Sequence, residues 1–382
     1  ASDVYKRQSL LYDNFKTTGG KKLLAYFKES IFVTVVGFIC AYIWAEHMHP
    51  GSGFLALFIV LFLSILEVTL SFDNAVVNAM KLEHMSHEWR HRFLTWGIAI
   101  AVFGMRFLFP VLVVAIFSHH NIVEVVKMAV YDVTQYTHYL HVAHAPLVSF
   151  GGTFLMMLFL TYFINEKKEV HWIAPVENFF VHFDKIKSIE AMLTLICLVI
   201  FAHYNAPEHK VGVLVAGILG VVLFLIIDGI SHMLERFEEE SKKRSLVEGA
   251  AKTGFVSFLY LELIDASFSL DGVLGAFAIS KDIIIITIGL AIGAMFVRSL
   301  TIFMVEKNTL KHYAYLEHGA HYAIGFLAFI MLFSTIKEVP EVVTGMVGLV
   351  IVGAAFITSV IENKRNAADV EKIEEKTEVK QD

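Results

Sequence analysis

The sequence predicts an all-α, polytopic transmembrane helix bundle, and three features predict it: an apolar composition, apolar stretches of membrane-crossing length, and a lopsided placement of basic residues. Of 382 residues, 56% are hydrophobic and 18% charged, with a mean hydropathy of +0.63. Soluble domains run nearer to a quarter charged. The apolar residues gather in runs of roughly 18 to 25, the length that crosses about 30 Å of hydrocarbon at 1.5 Å per helical residue.

Ten spans are expected, near residues 30–46, 54–80, 93–118, 147–165, 189–204, 211–231, 254–280, 283–305, 319–336 and 342–361. The first follows a polar segment, 1–29, in which no cleavable signal peptide is recognised. The third opens after Arg92, the fourth closes at Asn165-Glu166, and the fifth lies between Ser188 and Asn205. Lys281 separates the seventh from the eighth, and Lys337 separates the ninth from the tenth. With the N-terminus inside, 25 lysines and arginines fall in inner segments and only Lys127, Lys210, Lys281 and Lys337 in outer ones. Short cytoplasmic loops hold such an excess, so both termini are expected to be cytoplasmic. The outer insert 119–146 has an amphipathic pattern in Ile122, Val125, Val126, Ala129 and Val133, and the tail 362–382 is a charged, solvated segment.

Several function classes fall away on composition. No basic stripe suited to nucleic acid is present at a net charge of −6. Cys40 and Cys197 both lie in apolar stretches, against a disulfide framework or thiolate metal site. There is no phosphate-binding loop for an ATP-driven pump, and no HExxH motif or intramembrane Ser/His pair for an enzyme. No tightly bound cofactor is expected. The bilayer is the first partner, with self-association a further one.

Part of the chain occurs twice. Leu63 to Asn74 aligns without gaps on Leu261 to Gly272, pairing Glu67 with Asp265, Thr69 with Ser267, Ser71 with Ser269, and Asp73 with Asp271. Thr95 to Arg106 aligns on Thr287 to Arg298 with five identities in twelve positions, arginine among them. A weaker match relates Gly151–Phe159 to Gly319–Leu327. The repeats are expected to cover 54–165 and 254–336. Equivalent spans of the two copies are five apart in the order, an odd number, so the topology sets them in opposite orientations, the arrangement of secondary transporters with a midplane site.

Glu67, Ser71, Asn74 and Asn78 form one polar stripe on a continuous helix, repeated by Asp265, Ser269 and Gly272. Thr69 and Asp73, mirrored by Ser267 and Asp271, point roughly 120° away, which favours a helix break near Asn74 and Gly272. Each intramembrane acid costs roughly 2.5–3.5 kcal/mol and needs a partner or ligand. Carboxylates, hydroxyls and amide oxygens together are a hard-oxygen set suited to a divalent cation. Two other readings stay open: Arg106 and Arg298 pair with Glu67, Asp73 or Asp271 purely to hold helices together, or they bind an oxyanion. Glu262, which aligns with Ser64, ranks below Asp265, and Gly97 and Gly289 read as close-packing positions. The histidines at 138, 141 and 144, and at 84, 87 and 91, are chiefly solvated loop residues.

Glu67-Val68-Thr69-Leu70-Ser71-Phe72-Asp73-Asn74 resembles the E-x-x-L-S-x-D-N signature of TerC-type integral membrane proteins, and the chain looks like a longer subgroup of unknown function. That family is named for tellurium resistance, and members are associated with manganese efflux. The resemblance implies cation export across a bacterial inner membrane, with Mn²⁺ as substrate and Glu67, Asp73 and Asn74 as site residues. The second copy departs from the signature at Asp265 and Gly272. The joint expectation is a secondary transporter with Asp73 and Asp271 as central ligands, and Glu67 and Asp265 coordinating the ion or exchanging protons. A tellurite-type oxyanion or metabolite exporter and a non-transporting scaffold for envelope stress or metalation are the alternatives.

Overall fold

A computed structural model describes residues 24–378 apart from 98–99, 119, 165–170, 184, 187, 243–254, 266–275, 278, 281, 308–312 and 338. The described residues are helical nearly throughout and contain no strand. In chain order the helices are α1 (Lys28–Met48), α2 (Gly53–Leu70), α3 (Phe72–His84), α4 (His87–Arg92), α5 (Phe109–Ser118), α6 (Ile122–Tyr131) and α7 (Val133–Ile164). They continue as α8 (Ala174–Val181), α9 (Ile189–Tyr204), α10 (Pro207–Lys242), α11 (255–265), α12 (Ile283–Glu306), α13 (Leu316–Ser334) and α14 (Glu341–Glu378). Between α4 and α5 the chain runs as wide π-helical turns at Phe93–Gly97 and Ile100–Leu108.

Among the described residues, seven helices are long and apolar enough to cross a membrane: α1, α2, α7, α12, α13, and the parts Pro207–Ile230 of α10 and Gly345–Arg365 of α14. The third expected span is divided between π-helical and α-helical pieces, and the fifth is a shorter helix of 16 residues. The seventh is described only in part. Helix α7 begins at Val133, inside the expected outer insert, and passes through Pro146 without stopping. Its start is set by α6 folding back, with Val125, Met128 and Ala129 packed on Val111, Tyr136 and Leu140. The insert is therefore a short capped helix plus the first turns of a spanning one.

Burial separates the centre from the rim. Most of the apolar stretch of α7 (72%), α13 (67%) and α12 (61%) is buried, against 17% for α1 and 28% for α14. The rim presents large apolar side chains outward, such as Phe32, Phe54, Phe58, Phe62 and Val350. That surface suits lipid and would be a large adhesive patch in water. Cys40 and Cys197 form no disulfide.

Small residues let the backbones close up, and hydroxyls bond across the gap. Between α7 and α10, Ser149 Oγ donates to the Val213 carbonyl and Thr153 Oγ1 to that of Gly217, both at 2.8 Å. A Cβ on Gly220 would lie 2.3 Å from the Phe150 carbonyl oxygen. Between α2 and α12, Ser64 Oγ reaches the Gly289 carbonyl at 3.0 Å. There, Cβ atoms on Gly289 and Gly293 would stand 2.7 Å from Leu63 Cβ and 2.5 Å from Glu67 Cβ.

Replacing Gly293 with Ala should therefore destabilise the bundle by about 1–3 kcal/mol through overpacking, despite alanine's better helix propensity. Gly353→Ala, where a Cβ meets nothing within 4 Å, should be neutral or stabilising. Thermal unfolding of both variants in detergent checks this, and equal melting temperatures would contradict the close approach.

Candidate functional site

The polar stripe of the first repeat copy sits on α2 and α3, which meet at Ser71. Ser71 has φ −102° and ψ 16°, off the helical region, yet its N–H still donates to the Glu67 carbonyl at 2.9 Å. Its carbonyl accepts the Ala75 N–H at 3.2 Å. The regular helix is thus interrupted without stranding these backbone groups, three residues earlier than Asn74. A serine suits this place because its hydroxyl is drawn off by a side chain: Ser71 Oγ donates to Glu67 Oε1 at 2.8 Å. On the other stripe, Thr69 Oγ1 bonds its own helix at the Ile65 carbonyl, 2.8 Å away.

Glu67 is buried, and its Oε1 also receives Nη2 of buried Arg106 in a salt bridge. Arg106 reaches it from the π-helical segment Ile100–Leu108, a wide turn of the kind often found at functional positions. Asp265, the acid that aligns with Glu67, lies on α11 close enough for its charge to act on both Arg106 and Glu67. Glu262, one turn earlier, interacts in turn with Asp265. Three carboxylates and one guanidinium therefore share one interior region, contributed by both copies of the motif.

Glu262 is what sequence reasoning undervalued. It is 7% exposed, and neither carboxylate oxygen has a hydrogen-bond partner among the described residues. Gly97, across from it, leaves the room it occupies: a Cβ there would stand 2.8 Å from Glu262 Oε1. The available signal was an acid inside an apolar run, hidden because the repeat aligns it with a serine. Asp265 Oδ2 likewise has no partner among the described residues.

Asn74 and Asn78 are buried on α3, and Asn78 Oδ1 finds no hydrogen bond among the described residues. Thr301 Oγ1 of α12 points to the Ala75 carbonyl in the same stretch, at 3.5 Å. Arg298, the sequence counterpart of Arg106, is drawn elsewhere and pairs with Glu29 near the start of α1. The side chain of Asp73, and Ser267, Ser269, Asp271 and Gly272 altogether, lie outside the described residues. Among the described residues, no three His, Cys, Asp or Glu side chains are grouped to hold a metal ion. Of the histidines at 138, 141 and 144, His138 packs against Tyr139, as does His120.

Removing one partner of a buried ion pair costs about 3–5 kcal/mol, because the other charge is left without compensation. Glu67→Gln and Arg106→Gln should each lower stability on that scale. The double variant should lose clearly less than the two losses combined, and strict additivity in detergent unfolding would show that the pair is not coupled.

The model of the family described as "Protein of unknown function (DUF475)" matches residues 72–366. No curated protein and no solved structure gives a significant match.

Proposed function

We propose that this chain, which belongs to the DUF475 family of unknown function, is a membrane transporter that exports a divalent cation such as Mn²⁺ in exchange for protons. The observation that carries the reading is the shared interior region of Glu67, Glu262, Asp265 and Arg106. One guanidinium balances one carboxylate. The remaining two, Glu262 buried and Asp265 with its Oδ2 shielded from solvent, are tolerable only when protonated or neutralised by a cation. A region that alternates between two protons and one divalent ion is the elementary chemistry of an electroneutral exchanger. Asp73 and Asp271, the adjacent acids of the two motif copies, would supply further oxygen ligands, with Asn74 beside them.

The repeat supports the same reading, because two copies in opposite orientation give a site equal access to both faces as the halves rock. The motif resemblance to TerC-type proteins supports cation over anion. So does the engagement of both intramembrane arginines, Arg106 by Glu67 and Arg298 by Glu29, which argues against an oxyanion site. The basic-residue asymmetry supports a plasma membrane placement with both termini cytoplasmic. The rival is a non-transporting scaffold, and the Arg106–Glu67 pair taken alone would serve it.

Proteoliposomes holding the purified chain and a Mn²⁺-sensitive dye decide between them. Wild-type protein should move Mn²⁺ and counter-transport protons, read by an internal pH dye. Glu262→Gln, Asp265→Asn and Asp73→Asn should abolish Mn²⁺ flux while melting close to wild type. No Mn²⁺ flux under any imposed proton gradient would leave the scaffold reading in possession.

A further inference from the structure

A second cluster of titratable side chains lies at the ends of α7 and α13, apart from the interior acids. Its centre is Glu177 on α8, which is fully buried. Glu177 Oε1 accepts the backbone N–H groups of Trp172 and Ile173, both at 3.1 Å, and lies 3.4 Å from the Tyr322 hydroxyl of α13. Its other oxygen, Oε2, faces two imidazoles: His171 Nδ1 at 3.0 Å and His318 Nε2 of α13 at 3.6 Å. His318 is buried, whereas the His171 side chain is 29% exposed and opens the cluster to solvent.

The two distances mean different things. At 3.0 Å His171 makes a hydrogen bond in either charge state that keeps a proton on Nδ1. At 3.6 Å the His318 contact is too long for a hydrogen bond but short enough for an ion pair, so it attracts strongly only when His318 is an imidazolium. One carboxylate balances one imidazolium, and a second on the same oxygen would be in excess. Other titratable groups face the cluster: Tyr162 of α7, and Glu317, His321 and Tyr322 of α13. Glu317 adds negative charge nearby, while His321 stacks face to face on Tyr162 at 3.4 Å and bonds the Glu317 carbonyl through Nδ1. From α14, the approach at Gly319 is made by Ala355, Ile351 and Val352, all uncharged.

We propose that Glu177, His171 and His318 form a proton-binding site that clamps residues 171–181 onto α13. Protonation ties α8 to the helix that packs on α7, α14 and α3, and deprotonation loosens it. Histidine changes charge between about pH 5 and 8. The clamped form binds the additional proton, so the clamp is full at the acid end of that range and is lost as pH rises. The basic-residue asymmetry puts this end of the bundle inside, so the site would register cytoplasmic acidification. It stands whether or not the interior acids carry a cation.

Hydrogen–deuterium exchange of the full chain in nanodiscs, corrected for intrinsic exchange at each pH, reads the clamp directly. A one-proton difference changes the opening equilibrium by up to about tenfold per pH unit. The segment 171–181 should therefore lose about ten- to a hundredfold protection between pH 6 and 8. His318→Gln should flatten that dependence, while His321→Gln, which removes the stack on Tyr162, should keep it. Glu177→Gln is the second probe if His318→Gln misfolds: its amide oxygen can still accept the Trp172 and Ile173 N–H groups but carries no charge, so it too should flatten the profile. Protection that is independent of pH in wild type, or wild-type dependence retained in a folded His318→Gln variant, would overturn the site.

Discussion

The packing around α2 depends on the buried pair between Glu67 and Arg106. An arginine and a glutamate taken out of water each cost several kcal/mol, and they recover it only in good geometry with their remaining valences satisfied. The surrounding sequence is arranged to that end. Ser71 donates a second hydrogen bond to the same carboxylate oxygen, Gly293 lets α12 pass against the Glu67 stem, and wide π-helical turns carry Arg106 inward. The interruption at Ser71, the close approach of α12 to α2 and the π-helical turns of the third span all converge on one ion pair.

Two modes of association divide the bundle. Between α7 and α10 the helices meet through glycines, serine and threonine hydroxyls and backbone carbonyls. Around α2, α3, α11 and the π-helical segment, they meet through acids, amides and arginine. The first kind has short range and little capacity to rearrange. The second has a charge balance that depends on what is bound, so a bound cation would change it directly.

Much of this was legible beforehand. Apolar runs located every helix named as a span, since hydrocarbon thickness sets a length that composition cannot disguise. The duplicated motif singled out Glu67, Asp265 and Arg106, because charges in such runs are too costly to be incidental. Other features were hidden for physical reasons. Propensity pointed to Asn74 for the break, whereas the interruption falls at Ser71, whose hydroxyl bonds the Glu67 carboxylate that Arg106 holds from another segment. Glu262 was obscured by its alignment with Ser64, and its accommodation depends on Gly97 in another helix. Arg298 was read as the twin of Arg106, but its partner, Glu29, lies outside the repeat. The start of α7 was displaced because the amphipathic insert pairs with α5.

The placement of α2 has a consequence for the solvent of the charged region. One face of this helix carries Glu67 inward, while Phe54, Phe58, Phe62 and Ile65 look out from the rim. A helix with its side chains is about 10–12 Å across, so the carboxylate and the acyl chains are separated by a single rod. Charges feel the polarisability of everything within such a distance. The bilayer is thus an outer wall of the electrostatic chamber. Its thickness and hydration set the strength of the attractions within, which makes membrane composition a physical parameter of this protein.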